Sequence, residues 1–163
     1  MVEKPLTRRP PGASVLRAVP VSIVMALVAL CGLGCSLSGP VRYQWRQVSV
    51  AGATACWPVA SEEAAQERGL MGVRTVRHPM VFAYSPPSRP SFWMRDTPAA
   101  LTGVWVGARG RVIGYWHGRP FSEATHPAPA PVSAVVEYPA GAALPALSAP
   151  ARVGARCPAG AGL

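Results

Sequence analysis

The stretch that decides the fold class is Val104-Trp105-Val106-Gly107-Ala108-Arg109-Gly110-Arg111-Val112-Ile113-Gly114-Tyr115. Two short runs of β-branched and aromatic residues, which favour strands, flank the four-residue loop 107–110, which contains two glycines. This pattern predicts a β-hairpin. The rest of the chain lacks an alternation of strands with long helices, so we do not expect a doubly wound parallel sheet.

Outward from this hairpin, the sequence predicts about six or seven strands and one or two short helices. A helix is predicted at Ser61–Arg68, with Ser61 as its N-cap, two glutamates near its positive end and Gly69 as its stop. Residues 121–131 are rich in proline and predict an irregular loop. The predicted strands are 48–59, 80–84, 92–94, 104–106, 112–115, 135–138 and 151–156.

The composition is that of a folded protein. The 163 residues are 50% hydrophobic and 14% charged, which excludes an intrinsically disordered chain. This length allows one compact domain and little else. The 19 prolines and 16 glycines disfavour long helices outside the N-terminal segment.

Residues 1–35 predict a signal segment. A basic start precedes the apolar run Val21–Leu33, whose 13 residues fall short of the roughly 20 that span a bilayer but fit the core of a secretory signal. An uncleaved N-terminal anchor is the alternative. Gly32-Leu33-Gly34-Cys35 resembles a bacterial lipoprotein signal, which implies cleavage before Cys35 and a lipid on that cysteine. We therefore expect an exported protein, at the outer face of the cytoplasmic membrane or in the cell envelope.

This prediction also sets the domain boundaries and leaves one cysteine pair. Residues 36–47 are expected to be a tether, 48–158 the domain and 159–163 a tail. Cys31 would leave with the signal and Cys35 would carry lipid, so Cys56 and Cys157 remain at the two ends of the domain. In an oxidising compartment these two residues are candidates for a disulfide. Their spacing gives little support to the alternative of a metal site, and we predict neither a metal nor a cofactor.

The charge of the exported part does not indicate nucleic-acid binding. After Cys35 there are 12 arginines, no lysine and 6 acidic residues, a net charge of +6. The arginines are dispersed along the sequence, whereas nucleic-acid-binding proteins usually concentrate basic residues. We expect the partner to be a small molecule or an envelope component, with the membrane reached through the N-terminal lipid or anchor.

Four motifs in order resemble a known family. They are Arg68-Gly69-Leu70-Met71, Met80-Val81-Phe82, Phe92-Trp93-Met94-Arg95-Asp96-Thr97 and Val136-Glu137-Tyr138-Pro139-Ala140-Gly141. This series is similar to the prokaryotic domain-of-unknown-function family 192, with its GLM, FWMKNT-like and LELPAG-like motifs. The resemblance implies a small single α+β domain, mainly β, with a strongly curved, barrel-like sheet. It implies no known reaction.

The chain departs from the family pattern at several positions. Arg95 and Asp96 replace a Lys-Asn pair, and Thr102 stands where many members have an aspartate. Arg109-Gly110 replaces the common Asp-Gly turn, and the loop before the last motif lacks the cysteines of many relatives. Functions that depend on that aspartate or those cysteines are therefore not expected here.

The candidate ligand-binding residues are Arg68, Trp93, Arg95, Asp96 and Glu137. Strand alternation places Trp93 opposite Phe92 and Met94, so one of these faces is free to line a cleft. Asp96, the one aspartate of the chain, either accepts backbone hydrogen bonds at a strand end or pairs with Arg95 or Arg68. Glu137 either faces solvent or pairs with an arginine. We expect the polar candidates to cluster at one end of the sheet, with Trp93 nearby.

The core of the sheet is expected to be apolar and the protein to bind rather than to catalyse. The predicted core residues are Leu70, Met71, Val81, Phe82, Phe92, Met94, Leu101 and Val136. The preferred hypothesis is an exported, lipid-anchored module that binds a small ligand or an envelope partner. The alternative is a small extracytoplasmic hydrolase that uses Asp96 or Glu137 as its general base.

Overall fold

The computed structural model describes residues 41–160. Within that range the chain forms nine strands and one short helix. The elements are β1 (Gln44–Val50), β2 (Ala53–Ala60), α1 (Glu63–Arg68), β3 (Met80–Ser88), β4 (Ser91–Phe92), β5 (Leu101–Gly107), β6 (Val112–Gly118), β7 (His126–Pro127), β8 (Val132–Pro139) and β9 (Ala151–Arg156).

Seven strands form one sheet in the order β6-β5-β8-β3-β2-β1-β9, and β4 pairs with β7 separately. The neighbours in the large sheet are antiparallel, except β2 and β3, which run parallel and meet at Val59–Val81 and Ala60–Phe82. Arg111, just before β6, bridges Pro150, just before β9, so the two edges of the sheet approach each other. The predicted class, a mainly β domain on a curved sheet, is confirmed. The sheet is barrel-like in a loose sense, since it does not close.

The sheet has two apolar faces because successive side chains of a strand point to opposite sides. We call one the valine face; it includes Val48, Val59, Val81, Val104 and Val136. The other, the aromatic face, includes Met80, Phe82, Phe92, Met94, Trp105 and Trp116, and Ala65 of α1 packs against it. Burial on both faces explains why β5 is apolar or small along its whole length.

Several predicted elements are confirmed. The four-residue hairpin loop between β5 and β6 is present, one residue later than predicted, and β9 has the predicted bounds. Six of the eight predicted core residues are buried. The other two, Leu70 and Met71, are half-buried because they border a pocket.

Other predictions at the N-terminal side are wrong. The single predicted strand 48–59 is two strands joined by a tight turn at Ala51-Gly52, where both residues have positive φ. Strand β1 begins at Gln44, so residues 44–47, predicted as tether, belong to the sheet. The helix is capped by Glu62 without a side-chain hydrogen bond, not by Ser61. The predicted signal segment 1–35 lies outside the described residues.

The predicted strand 92–94 is also shorter than expected. Phe92 ends β4, and Met94 begins a turn in which the Thr97 N–H donates to the Met94 carbonyl at 3.0 Å. Phe92 and Met94 are nevertheless buried, while Trp93 is 41% exposed. The prediction that Trp93 lies on the opposite side from Phe92 and Met94 is therefore confirmed. Of these three residues, only Phe92 belongs to a strand.

Candidate functional site: a pocket over a buried glutamate

A pocket of about 540 Å³ lies between α1 and the aromatic face of the sheet. Its walls come from α1, from the turn Gly69-Leu70-Met71 that follows it, which we call the GLM turn, and from the strands β3, β4 and β8. It brings together three of the five candidate residues, Arg68, Trp93 and Glu137. The other lining residues that carry the chemistry are Gln66, Glu67, Phe82, Tyr84, Phe92 and Thr97.

Glu137 is the most unusual residue of this pocket. It lies in β8 between Met80 of β3 and Gly103 of β5, and it is only 4% exposed. No charged or hydrogen-bonding partner among the described residues offsets this burial. Of the two expected arrangements, exposure to solvent or pairing with an arginine, neither is found there. Loss of hydration disfavours the carboxylate, so burial raises the pKa of Glu137 to about 8.

The sheet also buries an indole donor over Gly103, the residue that pairs with Glu137 in β5. Gly103 of β5 pairs with Glu137 on one side and with Trp116 of β6 on the other. A Cβ at Gly103 would lie 1.9 Å from the Trp116 Nε1, so the indole lies across the space that the glycine leaves free. The Trp116 Nε1 is buried and has no hydrogen-bond partner within residues 41–160.

Aromatic side chains form much of the remaining wall. The rings of Phe82 and Phe92 meet edge to face, with centroids 4.9 Å apart. Tyr84 is half-buried, and its pKa is raised by burial and further by the nearby charge of Glu137. Glu137 therefore shares its pocket with aromatic side chains, among them a neutral phenol.

Trp93 and Arg95 stand at the outer edge of the pocket. The Arg95 Cζ lies 4.1 Å from the centre of the Trp93 ring, in a cation–π contact. The Arg95 Nε also lies 3.5 Å from the Glu123 Oε1, and both of these side chains are exposed. Arg95 is not among the lining residues of the pocket. It packs on Trp93, a lining residue that is 41% exposed.

Asp96 does not join the predicted cluster. Its side chain is exposed and forms no ion pair within the described range. Its backbone has φ +54°, in the left-handed region that aspartate tolerates better than most residues, and its carbonyl accepts the Gly72 N–H at 2.8 Å. Asp96 thus holds the turn after Met94 against the GLM turn. The predicted four-residue polar cluster is wrong for Arg95 and Asp96.

The predicted cysteine pairing is present. Cys56 of β2 and Cys157, just after β9, form a disulfide with their Cα atoms 6.2 Å apart. The Cys157 N–H also donates to the Trp45 carbonyl of β1. The lipidation candidate Cys35 lies outside the described residues.

The sequence reasoning missed several lining residues. Tyr84 and Gln66 are ordinary strand and helix residues in the sequence, and nothing local marks Trp116 or Gly103. It also missed a second pocket, of about 620 Å³, at the end of the valine face. Arg109, Arg111 and Arg152 border it and no acidic residue does, although 40 residues separate the last two in sequence.

Two structural findings concern membranes and metals. Residues 41–160 include no helix with the length and apolar character needed to span a bilayer. The same residues contain no group of three or more histidine, cysteine, aspartate or glutamate side chains placed to hold a metal ion.

Comparison with known proteins places the chain in a family. The fold is similar to that of a protein of unknown function from Novosphingobium aromaticivorans, with a TM-score of 0.57 and 28% identity over 65% of this chain and 83% of that one. It is also similar to a putative transcription regulator from Sinorhizobium meliloti, with a TM-score of 0.60 and 25% identity over 71% and 98% of the two chains. No curated protein matches the chain. The family model DUF192, described as "Uncharacterized ACR", matches residues 46–147, more than half of the sequence. The protein therefore belongs to the DUF192 family.

Proposed function

We propose that this protein is a small-ligand-binding module of the cell envelope and that the pocket over Glu137 is its binding site. The observation that carries the proposal is a buried carboxyl group that lines a pocket and has no partner within residues 41–160. Burying such a group costs free energy unless something bonds to it. A ligand that fills the pocket supplies the missing partner.

The composition of the walls supports binding of a small molecule. Ligand pockets are typically 300–1,000 Å³, mostly apolar, and contain a few polar groups that orient the ligand. Here Phe82 and Phe92 supply apolar surface, and Glu137, Tyr84 and Arg68 supply the polar groups. Trp93 extends the aromatic surface toward solvent.

The envelope location rests on two independent features. The N-terminal sequence has a basic start, a short apolar run and the Gly34-Cys35 junction. The Cys56–Cys157 disulfide is typical of an oxidising compartment. Export with a lipid on Cys35 accounts for both.

Thermal shift and calorimetry with a panel of small amines, carboxylates and sugars test the binding function. We expect a member of the panel to stabilise the wild type and to lose most of that effect in Glu137→Gln. Glu63→Gln is the matched control, because Glu63 lies on the exposed first turn of α1 and does not line the pocket. Equal stabilisation of both variants would place the binding site elsewhere.

The alternative is an extracytoplasmic hydrolase with Glu137 as its general base. One observation favours it: a carboxyl group with a pKa near 8, in a pocket, is suited to proton transfer near neutral pH. Asp96 is less suited to that role, since its side chain is exposed and lies outside the lining. Turnover of chromogenic ester or glycoside probes that Glu137→Gln abolishes would favour the hydrolase over the binding module.

A further inference from the structure

We propose that the ligand of the Glu137 pocket carries a primary or secondary ammonium group that binds to the Glu137 carboxylate. This inference rests on the proposed function, since it names the class of ligand for the same pocket. It is carried by the geometry of the carboxyl group, the aromatic walls and the single arginine at the mouth.

The carboxyl group needs a hydrogen-bond donor, and no side chain of residues 41–160 donates to it. A carboxylate accepts several hydrogen bonds, and a buried one without them is strongly disfavoured. An ammonium N–H supplies both the hydrogen bond and the opposite charge, the strongest combination available to a buried carboxylate. A sugar hydroxyl supplies only the hydrogen bond.

The aromatic walls also favour a cation. Phe82, Tyr84 and Phe92 line the pocket beside Glu137, and the faces of such rings attract cations. The protein already shows this preference at the edge of the pocket, where the guanidinium of Arg95 packs on Trp93. Between aromatic rings and a carboxylate, a cation gains from both.

Arg68 restricts the class of expected ligand further. It lies in the last turn of α1, is exposed, and a Cβ at Gly72 would lie 3.9 Å from its Nη2, so its guanidinium group lies near the GLM turn. An arginine at the mouth and a carboxylate at the base fit a ligand with opposite charges at its two ends. The expected ligand is therefore a small zwitterion, an amine that also carries a carboxylate or phosphate group.

The pH dependence of binding separates this ligand class from neutral ones. Among the described residues, the charged groups that line the pocket together with Glu137 are Glu67 and Arg68 from α1, both exposed. Tyr84 of β3 stays protonated because its pKa is raised. An ammonium ligand requires the ionised carboxylate, so its affinity should rise about tenfold per pH unit below the pKa of Glu137 and level off above it. Binding at pH 7 should release close to one proton. A neutral polyol, which accepts a hydrogen bond from the protonated acid, should show the opposite trend.

Isothermal titration calorimetry with matched probes tests the inference. The probes are ω-amino acids of three to six carbons, such as 5-aminopentanoate, and the ω-hydroxy acids of the same length, which differ by one group. We expect an amino acid to bind at least about tenfold more tightly than its hydroxy counterpart at pH 8.5. Two buffers of different ionisation enthalpy measure the proton release.

The variants locate the effect. Glu137→Gln should reduce the preference for the amino acid to less than about twofold, and Glu63→Gln should leave it unchanged. Circular dichroism checks that both variants are folded. Glucose serves as a neutral polyol probe. Equal binding of the amino and hydroxy acids, or binding of glucose alone, would overturn the ammonium inference and leave the binding function standing. A preference that survives Glu137→Gln would overturn it as well. Absence of binding by all these probes between pH 6 and 9 would contradict both.

Discussion

Glu137 and Gly103 face each other across β8 and β5, and each is an exception to its surroundings. Glu137 places an ionisable group in an apolar layer, and Gly103 leaves a gap in a strand that is otherwise buried on both faces. The gap is filled by the indole of Trp116, not by solvent. At the scale of single residues, the aromatic face therefore carries one missing side chain next to one buried ionisable group.

The free energy of unfolding should depend on pH through Glu137. Its pKa is raised from 4.5 to about 8 in the folded state, so the native protein binds more protons than the unfolded chain between these values. The contribution of Glu137 to the free energy of unfolding is then fully present below about pH 4.5. It falls as the pH rises to about 8, by at most about 1.4 kcal/mol per pH unit. Urea denaturation across this range measures the slope. Glu137→Gln should lack this component, and an identical slope in the variant would contradict the assignment.

Gly103→Ala should destabilise the protein because its methyl group would overlap the Trp116 indole. The indole is packed among Met94, Phe92 and Trp105 and has little room to move, so we expect a loss of about 1–3 kcal/mol. Gly114→Ala in β6 is the matched control, because a Cβ there would lie 3.5 Å from Trp105, an ordinary contact. Equal unfolding free energies of the two variants would show that the indole can rearrange.

At the scale of elements, the sheet consists of two antiparallel parts. Strands β9, β1 and β2 form one, and β3, β8, β5 and β6 form the other. The parts meet at the short parallel contact between β2 and β3, and the chain between these strands contains α1 and the GLM turn. The pocket lies beside this junction, with α1 on one wall and β8 on the other.

The disulfide acts within the first of these parts, where it joins β2 to the residue after β9. It closes a loop with a sequence separation of 101 residues, and loops of this length restrict the unfolded chain most. Replacing both cysteines by serine should lower the unfolding free energy by about 2–5 kcal/mol. Wild type in reducing agent is the control and should match the variant. A variant within 0.5 kcal/mol of the oxidised wild type, as a rough limit, would contradict a structural role.

Local patterns predicted some elements well and others poorly. The β5–β6 hairpin and β9 follow from alternation and turn residues that are contiguous in the sequence. The break inside 48–59 was missed because Ala51-Gly52 is a weak turn signal between two runs with strand character. Ser61 was predicted as a cap from its residue type, but Glu62 takes the extended conformation of that position.

The candidate site was predictable only in part, for a physical reason. Arg68, Trp93 and Glu137 were recognisable from their motifs, and all three line the pocket. Arg95 and Asp96 belong to the same motif but follow Trp93 into a turn, which directs them out of the pocket. Trp116 and Gly103 come together through cross-strand pairing, which no local spacing encodes.

At the scale of the whole molecule, one sheet separates two apolar layers with different contents. The valine face consists mainly of small β-branched residues, and the aromatic face contains the large side chains and the buried acid. The pocket over Glu137 and the pocket bordered by three arginines open from these two different layers. A ligand at one would thus lie on the opposite face of the sheet from a ligand at the other.

We expect the protein to be exported and then anchored in the cell envelope by a lipid. The apolar run 21–33 and the Gly34-Cys35 junction predict cleavage before Cys35 and a diacylglycerol group on its sulfur. Intact-mass analysis of the protein extracted from membranes checks this, and Cys35→Ser should release it from the membrane fraction. A mature N-terminus at another residue would contradict the lipid and leave export in place.

The narrow parallel contact between β2 and β3 has a consequence for how the molecule opens. The ladder between the two antiparallel units has only two residue pairs, and their outer edges also meet at the Arg111–Pro150 bridge. Units that share few backbone pairs open with separate free energies, as cooperative subdomains do. The disulfide ties β2 to the end of β9 and so protects one unit alone. In hydrogen–deuterium exchange, reduction should therefore accelerate the amides of β1, β2 and β9 while β5 and β8 keep their protection. The pocket takes its strand walls from β3, β4 and β8, so it would then keep those walls while the other unit opens.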